Sequence, residues 1–145
     1  MNPRSLSLAA GALFAVSYFL PAFAGSRGVQ CLLFCWDLLR RAPGDELLGW
    51  LYYSAFVPTN LLVAPIIVLT LMSGDRFVRT RFFVATALFF HVLSWLLLNW
   101  LKETSVARME LQVGYFVWLL AYALLVLAQF LAVRKPLPPA VPPSA

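Results

Sequence analysis

The sequence predicts an all-α integral membrane protein: a four-helix bundle with one short interfacial helix in its first outer loop. Three observations carry that expectation. Of 145 residues, 62% are hydrophobic and 12% charged, against about 45–50% and about 25% in a soluble domain. Mean hydropathy is +0.83, so polar side chains are too few to cover a water-facing surface. Leu47–Met72 runs 26 residues without a charge, and about 20 apolar residues cross the hydrocarbon of a bilayer.

Ser5–Ala24, SLSLAAGALFAVSYFLPAFA, is the first apolar run and is expected to be a retained span. The alternative is a cleaved signal, because Ala22-Phe23-Ala24 before Gly25 fits a small-x-small cleavage site. Cleavage there would leave three helices. Gly25, Ser26 and Gly28 break the run. Val29–Leu39 is apolar but too short to span, which suits an interfacial segment. The polar turn before Leu47 holds Pro43-Gly44, a strong breaker, then Asp45-Glu46, whose charge suits a helix start.

Leu47–Met72 is the second span, with kinks expected at Pro58 and Pro65, where a backbone donor is missing. Phe82–Leu101 is the third and Leu111–Val133 the fourth. Residues 1–135 thus read as one membrane domain, with spans at about 5–24, 47–72, 82–101 and 111–133. Residues 136–145, PLPPAVPPSA, read as an extended proline-rich tail.

The net charge of +5 is scattered at the ends of apolar runs, which is a membrane-topology pattern and excludes nucleic acid as the expected partner. Lys and Arg in short loops favour the cytoplasm. The dense Arg76, Arg79, Arg81 loop, with Arg4, Arg134 and Lys135, puts both termini inside against Arg27, Arg40, Arg41, Lys102 and Arg108 outside. A bacterial inner membrane fits best. Tyr and Trp residues, among them Trp36, Trp50, Trp95 and Trp118, fall toward the opposite side and read as a headgroup belt.

Few residues carry chemistry. An ionisable group inside a span is a functional hypothesis because burying it is costly; His91 is the only such residue apart from tyrosines. Asn60, beside Pro58, is the uncharged polar residue most suited to a special role. On the expected topology Asn60 lies 12 residues before the inner end of its helix and His91 lies 9 after the start of the next. At about 1.5 Å per residue the two depths differ by about a turn or less. Ser17 and Tyr122 fall at similar depth, and Ser94 lies one turn beyond His91. The expected cluster is Asn60, His91, Ser94, Ser17 and Tyr122, facing the bundle interior as a ligand site or as interhelical glue, with glue the simpler reading.

Cys31 and Cys35, four apart, share one helical face and are the candidate disulfide. A small four-helix membrane protein with a cysteine pair in its first outer loop resembles the quinone-coupled enzymes that make disulfides in the bacterial periplasm. The resemblance covers topology and one pair. Three residues separate these cysteines where that family has two, and the chain lacks the second pair such a relay needs. Packing or a loop staple is the simpler reading. A metal would need more ligands, and only His91 is available, so neither metal nor other cofactor is expected.

No serine-hydrolase motif is present, and no carboxylate lies within a span, as a proton-coupled exporter of this size requires. The leading expectation is a non-enzymatic subunit or scaffold in the lipid bilayer, working through contact with another membrane protein or itself. The runner-up is a small-molecule or lipid transporter with its site at Asn60–His91. A thiol-redox enzyme comes third.

Overall fold

The computed structural model describes residues 2–41, 47–72, 77–101 and 111–134. Asp45-Glu46, Arg76, the 102–110 loop and the proline-rich tail lie outside the described residues.

Helix α1, Pro3–Ser17, starts with Asn2 accepting the Arg4 N–H at 3.0 Å. Pro3 sits at the first helical position, where a missing donor costs nothing. The helix ends at Ser17, well short of the expected Ala24. Its 15 residues rise about 22 Å, below the roughly 30 Å of a bilayer core. Among the described residues, three helices are long and apolar enough to cross a membrane: Leu47–Met72, Val78–Leu97 and Val113–Val133.

After α1 the chain forms a hairpin that the sequence does not announce. Strands β1 (Pro21–Phe23) and β2 (Ser26–Arg27) pair antiparallel. The turn between them holds Ala24 at φ 45° and Gly25 at φ 83°. Two positive-φ residues match the right-handed twist of a two-residue hairpin.

Helix α2, Gly28–Arg40, begins directly after β2. Its first N–H groups bond carbonyls just past the end of α1, Gly28 to Leu20 at 3.2 Å and Val29 to Tyr18 at 3.1 Å. Helix ends leave such groups unpaired, and here each end satisfies the other. The junction demands glycine: a Cβ at Gly28 would lie 2.7 Å from the Ser17 carbonyl oxygen. At the far end of α2 the Trp50 indole N–H reaches the carbonyls of Leu38 at 2.9 Å and Arg41 at 3.0 Å.

The second apolar run forms α3 (Leu47–Ser54), α4 (Phe56–Leu61) and α5 (Val63–Met72). The breaks fall at Ala55 and Leu62, three residues before Pro58 and Pro65. A proline deprives the carbonyl four residues earlier of its donor and presses on it, so the disruption appears upstream of each ring. Helix α6, Val78–Leu101, starts earlier than the expected Phe82. Arg79 and Arg81 therefore lie in its first turn, Arg81 only 3% exposed, and the expectation of no charge within a span is corrected there.

Helix α7, Val113–Val133, is the central element, packed by α1 and α6 and reached by β1. Gln112 donates its N–H to the Ala22 carbonyl at 2.9 Å and accepts the Gly25 N–H on its side chain at 3.1 Å. A Cβ at Gly114 would lie 2.7 Å from the Pro21 oxygen. Gly114, Ala121 and Ala128, seven apart, are buried on one face of α7, and α1 presents Ser7 and Ala10. Lipid tails are as apolar as leucine, so membrane helices associate through close packing of small residues.

Candidate functional site

Two neighbouring places in the interior draw attention, and Phe56 touches both. The first is a polar knot around Asn60, on the short helix α4 between the two prolines. Asn60 Oδ1 accepts the Tyr18 hydroxyl at 3.0 Å and the Trp118 indole N–H at 3.1 Å, and Nδ2 donates to the Phe56 carbonyl at 2.7 Å. Three of the four hydrogen-bonding positions of the amide are thus filled. The Tyr122 hydroxyl donates to the Thr59 carbonyl at 2.9 Å, tying α7 to α4. Ser17 is buried and donates to Phe14 O at 2.6 Å. A cavity of about 30 Å³ between Ser17, Tyr18, Asn60 and Trp118 has room for a water or two.

His91 and Ser94 belong to a separate group. The His91 ring packs edge-on against Tyr52 and Phe56, at centroid distances of 5.3 and 5.4 Å. Its Nε2 is buried with no hydrogen-bond partner among the described residues. Ser94 Oγ bonds the His91 carbonyl at 2.6 Å and the Tyr52 hydroxyl at 2.7 Å. The five residues of the expected cluster therefore divide: Asn60, Tyr122 and Ser17 on one side of Phe56, His91 and Ser94 on the other.

The second place is larger. A cavity of about 290 Å³ opens between the hairpin, α2, α3, α4 and α6. Rings form half of its lining, Phe23, Phe34, Tyr53, Phe56 and Trp95, with Gln30, Cys31 and Cys35 along α2 and Ala24 and Ser26 from the hairpin. Trp95 is the hub, meeting Phe56 at 4.5 Å, Tyr52 at 5.1 Å, Tyr53 at 5.2 Å and Phe23 at 5.6 Å. The Trp95 indole N–H is buried without a hydrogen-bond partner among the described residues.

Both cysteines are free thiols, Cys35 buried and Cys31 partly so. Residues four apart on a helix hold their Cβ atoms about 5–6 Å apart, whereas a disulfide needs about 3.5–4.5 Å. Bonding them would require α2 to unwind. Burial pushes the Cys31 thiol up, partly offset by a backbone hydrogen bond, and burial together with the neighbouring Cys31 pushes Cys35 up to about 12. Both are poor nucleophiles as they stand, since the thiolate is the reactive form. Among the described residues no group of three or more His, Cys, Asp or Glu could hold a metal.

Sequence reasoning misses Tyr18, Trp118, Tyr52 and Trp95 as members of these groups, and it reads Trp118 and Trp95 as a headgroup belt. The structure instead buries Trp118, 7% exposed, and makes it a partner of Asn60. A signal for this exists in the sequence: Trp118 precedes Tyr122 by one helical turn, so whatever faces one faces the other. No family model, curated protein or solved structure matches the chain.

Proposed function

We propose that this chain is a non-enzymatic, four-span membrane protein that handles a small lipophilic molecule. The observation that supports this is the 290 Å³ ring-lined cavity, close to the lower end of pockets that hold small ligands, about 300–1,000 Å³. The reading moves the binding place away from the polar midplane. Asn60 is largely occupied by its own neighbours, and the space beside it is too small for a ligand. In this reading α1 and the hairpin that prolongs it supply the first span, residues 5–24 being retained. The Arg79–Arg81 end is cytoplasmic, both termini lie inside a bacterial inner membrane, and the cavity lies toward the outer face.

A subunit or scaffold role is the second reading. Exposed apolar side chains such as Leu48, Leu61 and Met72 favour it, although bilayer lipid covers them equally well.

Purification in mild detergent followed by solvent extraction and mass spectrometry tests the proposal. A neutral small molecule in near-equimolar amount supports it; a bare chain with a stoichiometric protein partner favours the second reading and overturns the first. Orientation is tested with a membrane-impermeant thiol reagent in a background without the native cysteines. R41C should react from outside and R134C only after lysis, and the reverse pattern overturns the topology.

A further inference from the structure

We infer that the cavity takes a neutral, planar-ring lipophile that enters sideways from the bilayer. This rests on the lipophile-handling reading and adds the ligand class and the route.

The class is set by the lining. Among the described residues no charged side chain borders the cavity; half of its lining residues are rings, and its polar side chains, Ser26 and Gln30, are uncharged. A charged guest would lose its hydration with nothing to replace it. The volume, about 290 Å³, is roughly twice that of a cavity of about 150 Å³ that takes benzene. A fused two-ring system fits that space. The argument against a simple acyl chain is competition. Inside a bilayer the solvent is acyl chain, and burial of apolar surface there gives no preference, because tails and apolar side chains are alike. A guest that stays must gain something that a tail lacks. Ring-on-ring contact with Phe23, Phe34, Tyr53, Phe56 and Trp95 supplies it, since aromatic pairs gain beyond the area they bury.

The route is set by α2. Phe34 lines the cavity and is 60% exposed. Leu33 and Trp36 beside it are also exposed, and Arg27, Arg40 and Arg41 flank the helix. Such a helix lies at headgroup level with its apolar face down. The mouth at Phe34 is then continuous with hydrocarbon.

The native thiol reports occupancy, because Cys31 lines the cavity. The protein, in a Cys35→Ser background where Cys31 is the one native thiol, is placed in phosphatidylcholine nanodiscs, and the slow alkylation of Cys31 by N-ethylmaleimide is followed over hours by peptide mass. Saturating 1-ethylnaphthalene should slow it at least about fivefold, and n-dodecane, with the same carbon number, should not. In Phe34→Leu, a change at an exposed position, protection by the ring probe should weaken by about threefold. An engineered R134C, at the other end of the bundle, should react at one rate throughout. Naphthalene-2-sulfonate, confined to water, should give no protection; if it protects, lateral entry fails. Equal protection by dodecane overturns the ring preference and leaves lipophile handling standing. Protection by neither neutral probe overturns both.

Discussion

The two sides of Phe56 solve the same problem in opposite ways. Around Asn60, polar groups buried among apolar helices satisfy one another, and almost no space remains. Around Trp95, rings meet both edge-on (Phe56, Tyr53) and stacked (Tyr52), two polar nitrogens (Trp95 Nε1 and His91 Nε2) have no partner among the described residues, and a cavity opens. Hydrogen bonds fix distance and direction, so a satisfied network draws helices into close register. Ring contacts are broader in geometry and leave the hairpin, α2 and α6 more loosely fitted. The polar knot therefore ties α4 to α1 and α7, and the aromatic side is where space remains.

That contrast breaks most sharply at Asn60. Asn60→Leu removes an acceptor shared by Tyr18 and Trp118 and leaves two donors in an apolar interior. Each such orphan costs about 1–3 kcal/mol, so a loss of about 2–6 kcal/mol is expected. Thermal or SDS unfolding in detergent measures it. Phe34→Leu, on the cavity side and largely exposed, should stay within about 0.5 kcal/mol of the native protein. Equal losses would dissolve the distinction between the two sides.

Gly114 tests the next tier. Gly114→Ala drives a Cβ into the Pro21 oxygen at 2.7 Å and toward the Leu20 oxygen at 2.9 Å. Both are backbone atoms and neither can swing aside. A loss of about 1–3 kcal/mol is expected, with the hairpin pushed off α7. Unchanged unfolding would mean the hairpin floats free of the bundle.

How much of this is legible in the sequence differs by element. The apolar runs at 47–72, 82–101 and 111–133 announce membrane-crossing helices, because length and absence of charge are the whole signal. The hairpin is not legible. PAFAGSR is short, and its pairing depends on the start of α7 nearly ninety residues away, where Gln112 meets Ala22 and Gly25. The end of α1 is hidden for the same reason: apolarity continues to Ala24, and only the docking of α2 on the Tyr18 and Leu20 carbonyls shows why the helix must stop. Depth along the membrane normal places Asn60, Ser17 and Tyr122 at one level, but depth carries no azimuth. It does not say that Tyr18 and Trp118 take Asn60, or that His91 turns to Tyr52. The ring-lined cavity joins residues from five elements and leaves no local pattern.

The thiols give a smaller, pH-dependent effect. The ordinary cysteine value is 9.0, and in the fold Cys35 stands at about 12. Above pH 9 the unfolded chain releases a proton that the native chain keeps. Fewer protons on the unfolded state mean that stability falls as pH rises, from about 9 upward. By pH 10 the loss from Cys35 should reach about 1 kcal/mol, and Cys35→Ala should remove that share, leaving the smaller one of Cys31, which is also pushed up. Unfolding midpoints at pH 8 and pH 10 in the two proteins check this. A native protein indifferent to alkali would mean that Cys35 is wetter than its packing implies.

The smallest expected effect is at His91, and it sharpens the comparison from the aromatic side. His91 Nε2 has no partner among the described residues, and the ring packs against Tyr52 and Phe56. His91→Phe keeps a ring in place and removes the orphan nitrogen. Burying one fewer unsatisfied polar atom should offset the slight extra bulk, so stability should hold or rise by up to about 1 kcal/mol. His91→Gln restores a donor and an acceptor but loses the ring contacts, and should fall slightly below the native protein. This ordering, phenylalanine at or above histidine and histidine above glutamine, marks the residue as part of the ring wall. A histidine that relays a proton would show a different pattern: both variants would fold normally, and both would lose whatever proton-linked activity the protein has.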